Sequence, residues 1–251
     1  MSNFLRIVQM TDVHVGPTPK PVHNINAQAH FLRVLQHLQD MSEELDLLVV
    51  SGDLAQERGE PKAYAWLREQ LDKSLLPYVI MTGNHDVLSH MQTAFSLPEA
   101  DIQENAYFYK KILKNRPLLF LDSGPYRVSK IQLDWLQQQC QLHADQECLL
   151  FVHHPPLPAL CQFMDASHGL RNSQETWQVL RAQTNISHIF CGHYHTERTL
   201  VRDGKVIYIT PSTTIQIDTR TEDFAIEHRM PAYRIVEWSD DTLYSHVHYL
   251  P

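Results

Sequence analysis

Glycine is scarce: the 251 residues contain eight. A chain so poor in glycine is neither a collagen-like repeat nor a flexible glycine-rich array. Each glycine is therefore expected to mark a place where the backbone needs it. Cysteine is sparse too. The four cysteines, Cys140, Cys148, Cys161 and Cys191, show no CxxC spacing. That excludes a disulfide framework and reads as reduced thiols in a cytoplasmic protein. No apolar run approaches the ~20 residues that span a bilayer, so no membrane partner is expected. Met1–Met10 has no basic region followed by a long apolar core, so no signal peptide is expected. Basic runs are missing as well. Lys plus Arg is 21 against 29 for Asp plus Glu, a net charge of −8. Sequence-independent binding to nucleic acid needs a Lys/Arg surface and is not expected here.

What is present is an ordinary globular mixture, 43% hydrophobic and 20% charged. Phe4–Met10, Asp46–Val50, Pro77–Met81, Leu118–Asp122, Cys148–Val152 and His188–Cys191 read as short buried strands. Helical spacing runs from Ile25 to Glu44, over Glu60–Lys73, Lys130–His143 and Ser173–Gln183. Ala106–Tyr109 reads as a further strand. After Gly192 the pattern changes to closely spaced strands, over Arg198–Asp203, Gly204–Thr210, Ser212–Ile217, Tyr233–Trp238 and Thr242–Tyr249. This is an α/β layered pattern with a mixed sheet or two stacked sheets. No linker or internal repeat interrupts it, so residues 1–251 are expected to form a single domain.

Histidine is abundant, with 16 copies. Several follow the end of an apolar strand: Asp12-Val13-His14, Gly52-Asp53, Gly83-Asn84-His85-Asp86, His153-His154-Pro155 and Gly192-His193-Tyr194-His195. In α/β sheets, sites lie beyond the carboxyl ends of strands, on loops held by the rigid sheet. Taken singly, Asp-x-His or Gly-Asp reads as an ordinary turn. Together they offer carboxylate oxygens, one amide oxygen and several imidazoles, with no thiolate. That set suits Fe, Mn, Zn, Co or Ni. It is too large for one tetrahedral ion and fits two, with one carboxylate bridging. Two ions carry +4 against −2 from Asp12 and Asp53, so the site is expected to attract an anion despite the acidic whole.

The remaining histidines have plainer readings. His23, His30 and His37 are seven apart and read as a solvated helix face. His246 and His248 share a strand face with nothing to complete a ligand set. Tyr64, Trp66, Trp135 and Trp177 read as core residues.

The five motifs, in this order and spacing, resemble the calcineurin-like metallophosphoesterases. Ser51-Gly52-Asp53-Leu54-Ala55-Gln56, Leu121-Asp122-Ser123, Leu133-Asp134-Trp135-Leu136, His153-His154-Pro155-Pro156-Leu157-Pro158, Leu170-Arg171-Asn172 and Pro211-Ser212-Thr213 are similar to the bacterial class III cyclic-nucleotide phosphodiesterases. The likeness runs from Phe4 to about Tyr249. It implies a four-layer αββα sandwich, two mixed sheets flanked by helices. It implies that Asp12, His14 and His195 hold one ion, that Asn84, His153 and His193 hold the other, and that Asp53 bridges. His85 is then not a ligand but sits over the phosphate, with Asp86 expected to orient it through its other ring N–H. Neighbouring strand residues point to opposite faces, so one of His153 and His154 reaches the ion; the family pattern favours His153.

The resemblance implies hydrolysis of a small phosphodiester, with 3′,5′-cyclic AMP going to 5′-AMP through a metal-bridging hydroxide. Asn84, His85, His195 and Arg171 are candidates for contact with the substrate, and the segment 165–172 is expected to close over the site. A glycerophosphodiesterase, a phosphomonoesterase or a non-catalytic metal-binding module are the alternatives. A homodimer is compatible with the family, although no contiguous interface patch is legible.

Overall fold

The computed structural model describes residues 4–41 and 45–251. The first half alternates strand and helix: β1 (Leu5–Met10), α1 (Ala27–Gln39), β2 (Leu47–Ser51), α2 (Pro61–Ser74), β3 (Tyr78–Met81) and α3 (Leu88–Phe95). A small ribbon, β4 (Ile102–Gln103) with β5 (Ala106–Tyr107), leads into β6 (Tyr109–Leu113), β7 (Arg116–Leu121), α4 (Lys130–Leu142) and β8 (Leu149–Val152). Then come α5 (Gln162–Ser167), α6 (Ser173–Ala182), β9 (His188–Cys191), β10 (Arg198–Arg202) and β11 (Lys205–Ile209). A second ribbon, β12 (Gln216–Ile217) with β13 (Ile226–His228), precedes β14 (Ala232–Trp238) and β15 (Leu243–Tyr249).

The long strands form two sheets. The first runs β15-β14-β1-β2-β3 and the second β10-β11-β9-β8-β7-β6. β1, β2 and β3 are parallel, as are β7, β8, β9 and β11, with antiparallel strands at the margins. Parallel strands covered on both faces read as unbroken apolar runs, and LLVV of β2 and LLFV of β8 do so.

Side-chain alternation places the layers. In the second sheet, Leu118, Phe120, Leu149, Phe151 and Phe190 share one core with the first sheet and with Phe31, Val34, Leu67 and Leu71 of α1 and α2. Their neighbours Leu119, Leu121, Leu150, Val152 and Ile189 turn the other way, onto Leu133 and Leu136 of α4 and Trp177 and Leu180 of α6. The result is helices, sheet, sheet, helices, the αββα sandwich that the resemblance implied. A row of rings lies along the inner face of the second sheet. Tyr109, Phe120, Phe151, Phe190 and Tyr208 follow one another at centroid distances of 4.6, 5.1, 5.1 and 4.9 Å.

Helix boundaries follow local chemistry. Asn26 caps α1 by accepting from the Ala29 N–H, so the helix starts two residues later than its spacing predicts. It ends at Gln39; the expected continuation to Glu44 crosses residues 42–44, which lie outside the described residues. Pro61 opens α2, where a missing N–H costs nothing. The expected strand 212–217 is reduced to Gln216–Ile217, because Ser212 and Thr213 turn to bond the backbone of Thr11 and Asp12. Short α3 and α5 were not expected.

Candidate metal centre

Every element of the site sits just past the carboxyl end of a parallel strand: Asp12 after β1, Asp53 after β2, Asn84 after β3, His153 after β8 and His193 after β9. The loops keep bonding after the strands end. Asp12 N–H donates to Gly52 O, His14 N–H to Asp53 O and Gly192 N–H to His153 O, at 3.0–3.1 Å. Holding loops this close requires unusual backbone. Asp12, His14, Asp53, His193 and His195 all have φ between +42° and +67°, a conformation that costs non-glycine residues energy and concentrates at functional sites. It also requires missing side chains. A Cβ on Gly83 would lie 2.2 Å from Asp53 Oδ1, and one on Gly192 would lie 2.0 Å from Thr11 Oγ1. The scarcity of glycine thus has a counterpart in space: both stand where two loops cross.

The carboxylates are clamped so that one oxygen of each faces the imidazoles. Asp12 Oδ2 accepts from the His193 N–H and Asp53 Oδ1 from the His85 N–H, both at 2.9 Å. The free Asp12 Oδ1 lies 3.3 Å from His195 Nε2, 3.7 Å from His153 Nε2 and 3.9 Å from His14 Nε2. The free Asp53 Oδ2 lies 3.3 Å from His153 Nε2 and 3.8 Å from His14 Nε2.

The rings are held by their far nitrogens. His153 Nδ1–H donates to Ser51 O at 2.8 Å, His195 Nδ1–H to Ile215 O at 3.1 Å and His193 Nε2–H to His168 O at 2.8 Å. A carbonyl only accepts, so the opposite nitrogen of each neutral ring presents a lone pair. His195 Nε2 also stands 3.1 Å from His14 Nε2.

Lone pairs therefore face carboxylates, an arrangement that calls for positive charge between them. Asp12 Oδ1, Asn84 Oδ1 and His153 Nε2 are buried and have no hydrogen-bond partner among the described residues. Orphaned buried atoms of this kind need an explanation, and an ion is one. Titration agrees. Burial alone would raise the Asp12 and Asp53 carboxyls, yet the His195 and His153 imidazoles hold them well below the usual carboxylate range. Burial would lower His153, yet Asp53 and Asp12 push it up to about 9. His14 falls to about 4 and His193 to about 3, burial being the largest cause in each.

The structure gathers Asp12, His14 and His195 into one group of donor atoms and Asp53, His153 and His193 into another, each within 4.8 Å. The first group holds the three residues expected at one ion; the second holds two of the three expected at the other, with Asp53, the expected bridge, in place of Asn84. A third, overlapping group joins His14, Asp53 and His85. The doublet separates as the alternation predicts: His153 faces the carboxylates, while His154 Nδ1 pairs with Ser123 Oγ at 2.8 Å and its ring packs 4.0 Å from His193.

Two expectations need revision. Asp86 does not orient His85. The His85 Nδ1–H donates instead to Gln56 O at 2.9 Å. Asp86 accepts from the backbone N–H groups of Gly83, Leu54 and Ala55 and from the Tyr64 hydroxyl, so it ties the second loop to the third. Its carboxyl is pushed up to about 6, by burial and by nearby Asp53. His23 does not lie on a solvated helix face either. It precedes α1 and lines the cavity over the site.

That cavity has a volume of about 500 Å³ and is lined by His14, Asp53, Asn84, His85, His193 and His195, with Gln56, Tyr126 and His168 beside them. The segment 165–172 reaches it through the His168 carbonyl. Arg171 does not line it. Its side chain is exposed and lies over the ring of Tyr126, a lining residue, at 5.1 Å. Sequence reasoning missed Gln56, Tyr126 and His168; their roles come from a carbonyl, a ring edge and a turn, which carry no residue signature.

The fold and the site together define a hydrolase of the metal-dependent phosphoesterase class. Residues 5–197 match the family model of calcineurin-like phosphoesterases, and the chain belongs to that family. Its relatives include a probable cyclic nucleotide phosphodiesterase of Fibrobacter succinogenes, 36% identical over 98% of this chain and 94% of the relative. The 3′,5′-cyclic adenosine monophosphate phosphodiesterase CpdA of Escherichia coli is 32% identical over 98% of this chain and 90% of the relative. Among solved structures, a dimetal phosphatase from Danio rerio superposes with a TM-score of 0.66 over 94% of this chain and 95% of that one. At 16% identity it speaks to the fold alone. Among the described residues, no helix is long and apolar enough to cross a membrane.

Proposed function

We propose that this protein is a cytoplasmic dimetal phosphodiesterase that converts 3′,5′-cyclic AMP to 5′-AMP. One observation carries the metal reading: the unpaired His153 Nε2 lies buried 3.7 Å from the unpaired Asp12 Oδ1 and 3.3 Å from Asp53 Oδ2, while Asn84, whose Oδ1 is also buried and unpaired, lines the adjoining cavity. Asp12, His14 and His195 would hold one ion, Asn84, His153 and His193 the other, and Asp53 would bridge. A mixed oxygen and nitrogen set without thiolate suits iron and manganese, and accepts zinc, cobalt or nickel. Bound there, two such ions supply Lewis acidity and an activated water for in-line hydrolysis.

The chain's own residues do the rest. Gln56 O fixes one nitrogen of His85, which leaves Nε2 for the substrate. Through Nε2, His85 meets the phosphoryl group or the departing oxygen. Asp86 holds the loops of Asp53 and Asn84 in mutual register. The net charge of −8 argues against nucleic acid as the partner, and the names of the relatives above support a cyclic nucleotide.

Asp53→Asn tests the assignment. It should strip both ions together, measured by elemental analysis, and abolish formation of 5′-AMP. Retention of one full equivalent of metal would show that Asp53 does not bridge.

A further inference from the structure

We infer that His23, Phe163 and Phe224 form an aromatic wall that takes the nucleobase of the substrate, so that the cavity selects base-bearing phosphate esters over ringless ones. This rests on the phosphodiesterase reading above and names what recognises the part of the substrate that does not react.

The cavity has two contiguous sets of wall residues. One is the carboxylate and imidazole cluster. The other brings together three separate segments: His23 from the loop before α1, Phe163 from α5 and Phe224 from the turn before β13. Phe224 lies 5.4 Å from His23 and 5.7 Å from Phe163, and Phe163 lies 4.9 Å from the His168 ring. His168 joins the two sets, since its backbone carbonyl accepts from His193 Nε2. The wall therefore starts one residue from the candidate metal centre.

Phe163 packs partly against the second core, but Phe224 does not serve either core and is 42% exposed. With His23 and Phe163 it makes a contiguous patch of rings on the wall of a polar cavity, and a contiguous apolar patch of this kind marks binding. The pairs are tilted at 43° and 63°, not stacked on each other, so ring faces remain for a planar ligand. The backbone under His23 is held at cost: His23 and Asn24 have φ of +51° and +63°, and Arg229 Nε–H clamps the His23 carbonyl at 2.8 Å. A cavity of about 500 Å³ is also far larger than a phosphate needs and falls in the ~300–1,000 Å³ range of small-molecule sites. A ligand with an anionic group at one side and a flat ring at the other matches both sets.

The test compares 5′-AMP with ribose 5-phosphate, which differ by the base alone. Dissociation constants are measured by calorimetry on the manganese-loaded protein, wild type and Phe224→Ala, Phe163→Ala and Phe224→Leu. Base–aromatic stacking corresponds to about 5- to 150-fold in a binding constant. Wild type should prefer 5′-AMP by about tenfold or more. Phe224→Ala should cut that preference at least about fivefold with ribose 5-phosphate unchanged, and Phe163→Ala likewise. Phe224→Leu, which keeps apolar bulk and removes the π face, should behave as Phe224→Ala does. Equal wild-type affinity for the two ligands, or equal weakening of both in the variants, overturns the wall. The two readings separate: a base preference without hydrolysis of cyclic AMP keeps the wall and removes the cyclic AMP assignment. Hydrolysis without base preference does the reverse.

Discussion

At the scale of single residues, the site is a problem in charge placement. His85 is the group whose proposed role is most exposed to test. It lies next to Asn84 but takes its orientation from Gln56 on the neighbouring loop after β2. If it acts on the phosphoryl group, His85→Ala should keep both metals and lower kcat by about 100- to 1,000-fold, the scale of one transition-state donor. Loss of metal in that variant would make it a ligand instead.

The histidines also set how the metal-free chain answers to pH. His153 and His195 have folded pKa values above the unfolded 6.5, His153 at about 9. They stabilise the fold when protonated, fully below pH 6.5, and that contribution is lost as pH rises toward 9. His14 and His193 have folded values near 4 and 3. Their contribution is present above pH 6.5 and is lost as pH falls through 4. The chelated protein should therefore show its highest Tm near pH 6.5, and bound metal should flatten the alkaline side. A Tm that climbs from pH 6.5 to 9 without metal would contradict this.

These residues were legible because each follows an apolar strand. The direction of a side chain was not. Asp86 adjoins His85 in the chain, yet its carboxylate turns back to the Leu54 and Gly83 amides. Neighbouring residues on a loop need not interact, and only the fold says which do.

At the scale of elements, the site depends on two sheets held in fixed relation. Gln9 of β1 bridges them: its amide donates to Ser51 Oγ and Cys191 O, and its carbonyl accepts from Thr210 Oγ1. The row of five rings on β6, β7, β8, β9 and β11 lies in the core that the second sheet shares with β1 and β2 of the first. Phe151 is fully buried and in the middle of the row. Phe151→Ala should cost about 3–5 kcal/mol, read by urea unfolding at fixed metal concentration. A loss below about 1 kcal/mol would mean that the row is not part of the load between the sheets. The strands were readable from sequence because buried parallel strands are unbroken apolar runs. Gln9 was not, since one polar residue in such a run has no periodicity. Neither were α3 and α5, which are eight and six residues long, too short for an amphipathic repeat to show.

At the scale of the whole molecule, a chain of net charge −8 is proposed to take an anionic substrate. The contradiction is local: in the proposed site two divalent cations would outweigh two aspartates and give the cavity a field opposite in sign to the net charge of the chain. The layer order was the part of the architecture that strand and helix patterns alone left open, because pairing across sheets is set by which face of β7 and β8 turns inward. Alternation of Leu118 and Phe120 against Leu119 and Leu121 decides it, and that assignment requires knowing what each face meets.

The most direct test is kcat/KM for 3′,5′-cyclic AMP on the manganese-loaded protein, with bis-p-nitrophenyl phosphate as a reference diester. The account predicts a value at or above about 10⁴ M⁻¹s⁻¹, the range of a true substrate, with 5′-AMP as the product. Turnover of the reference diester with cyclic AMP slower by orders of magnitude would contradict it and direct the search to other small diesters.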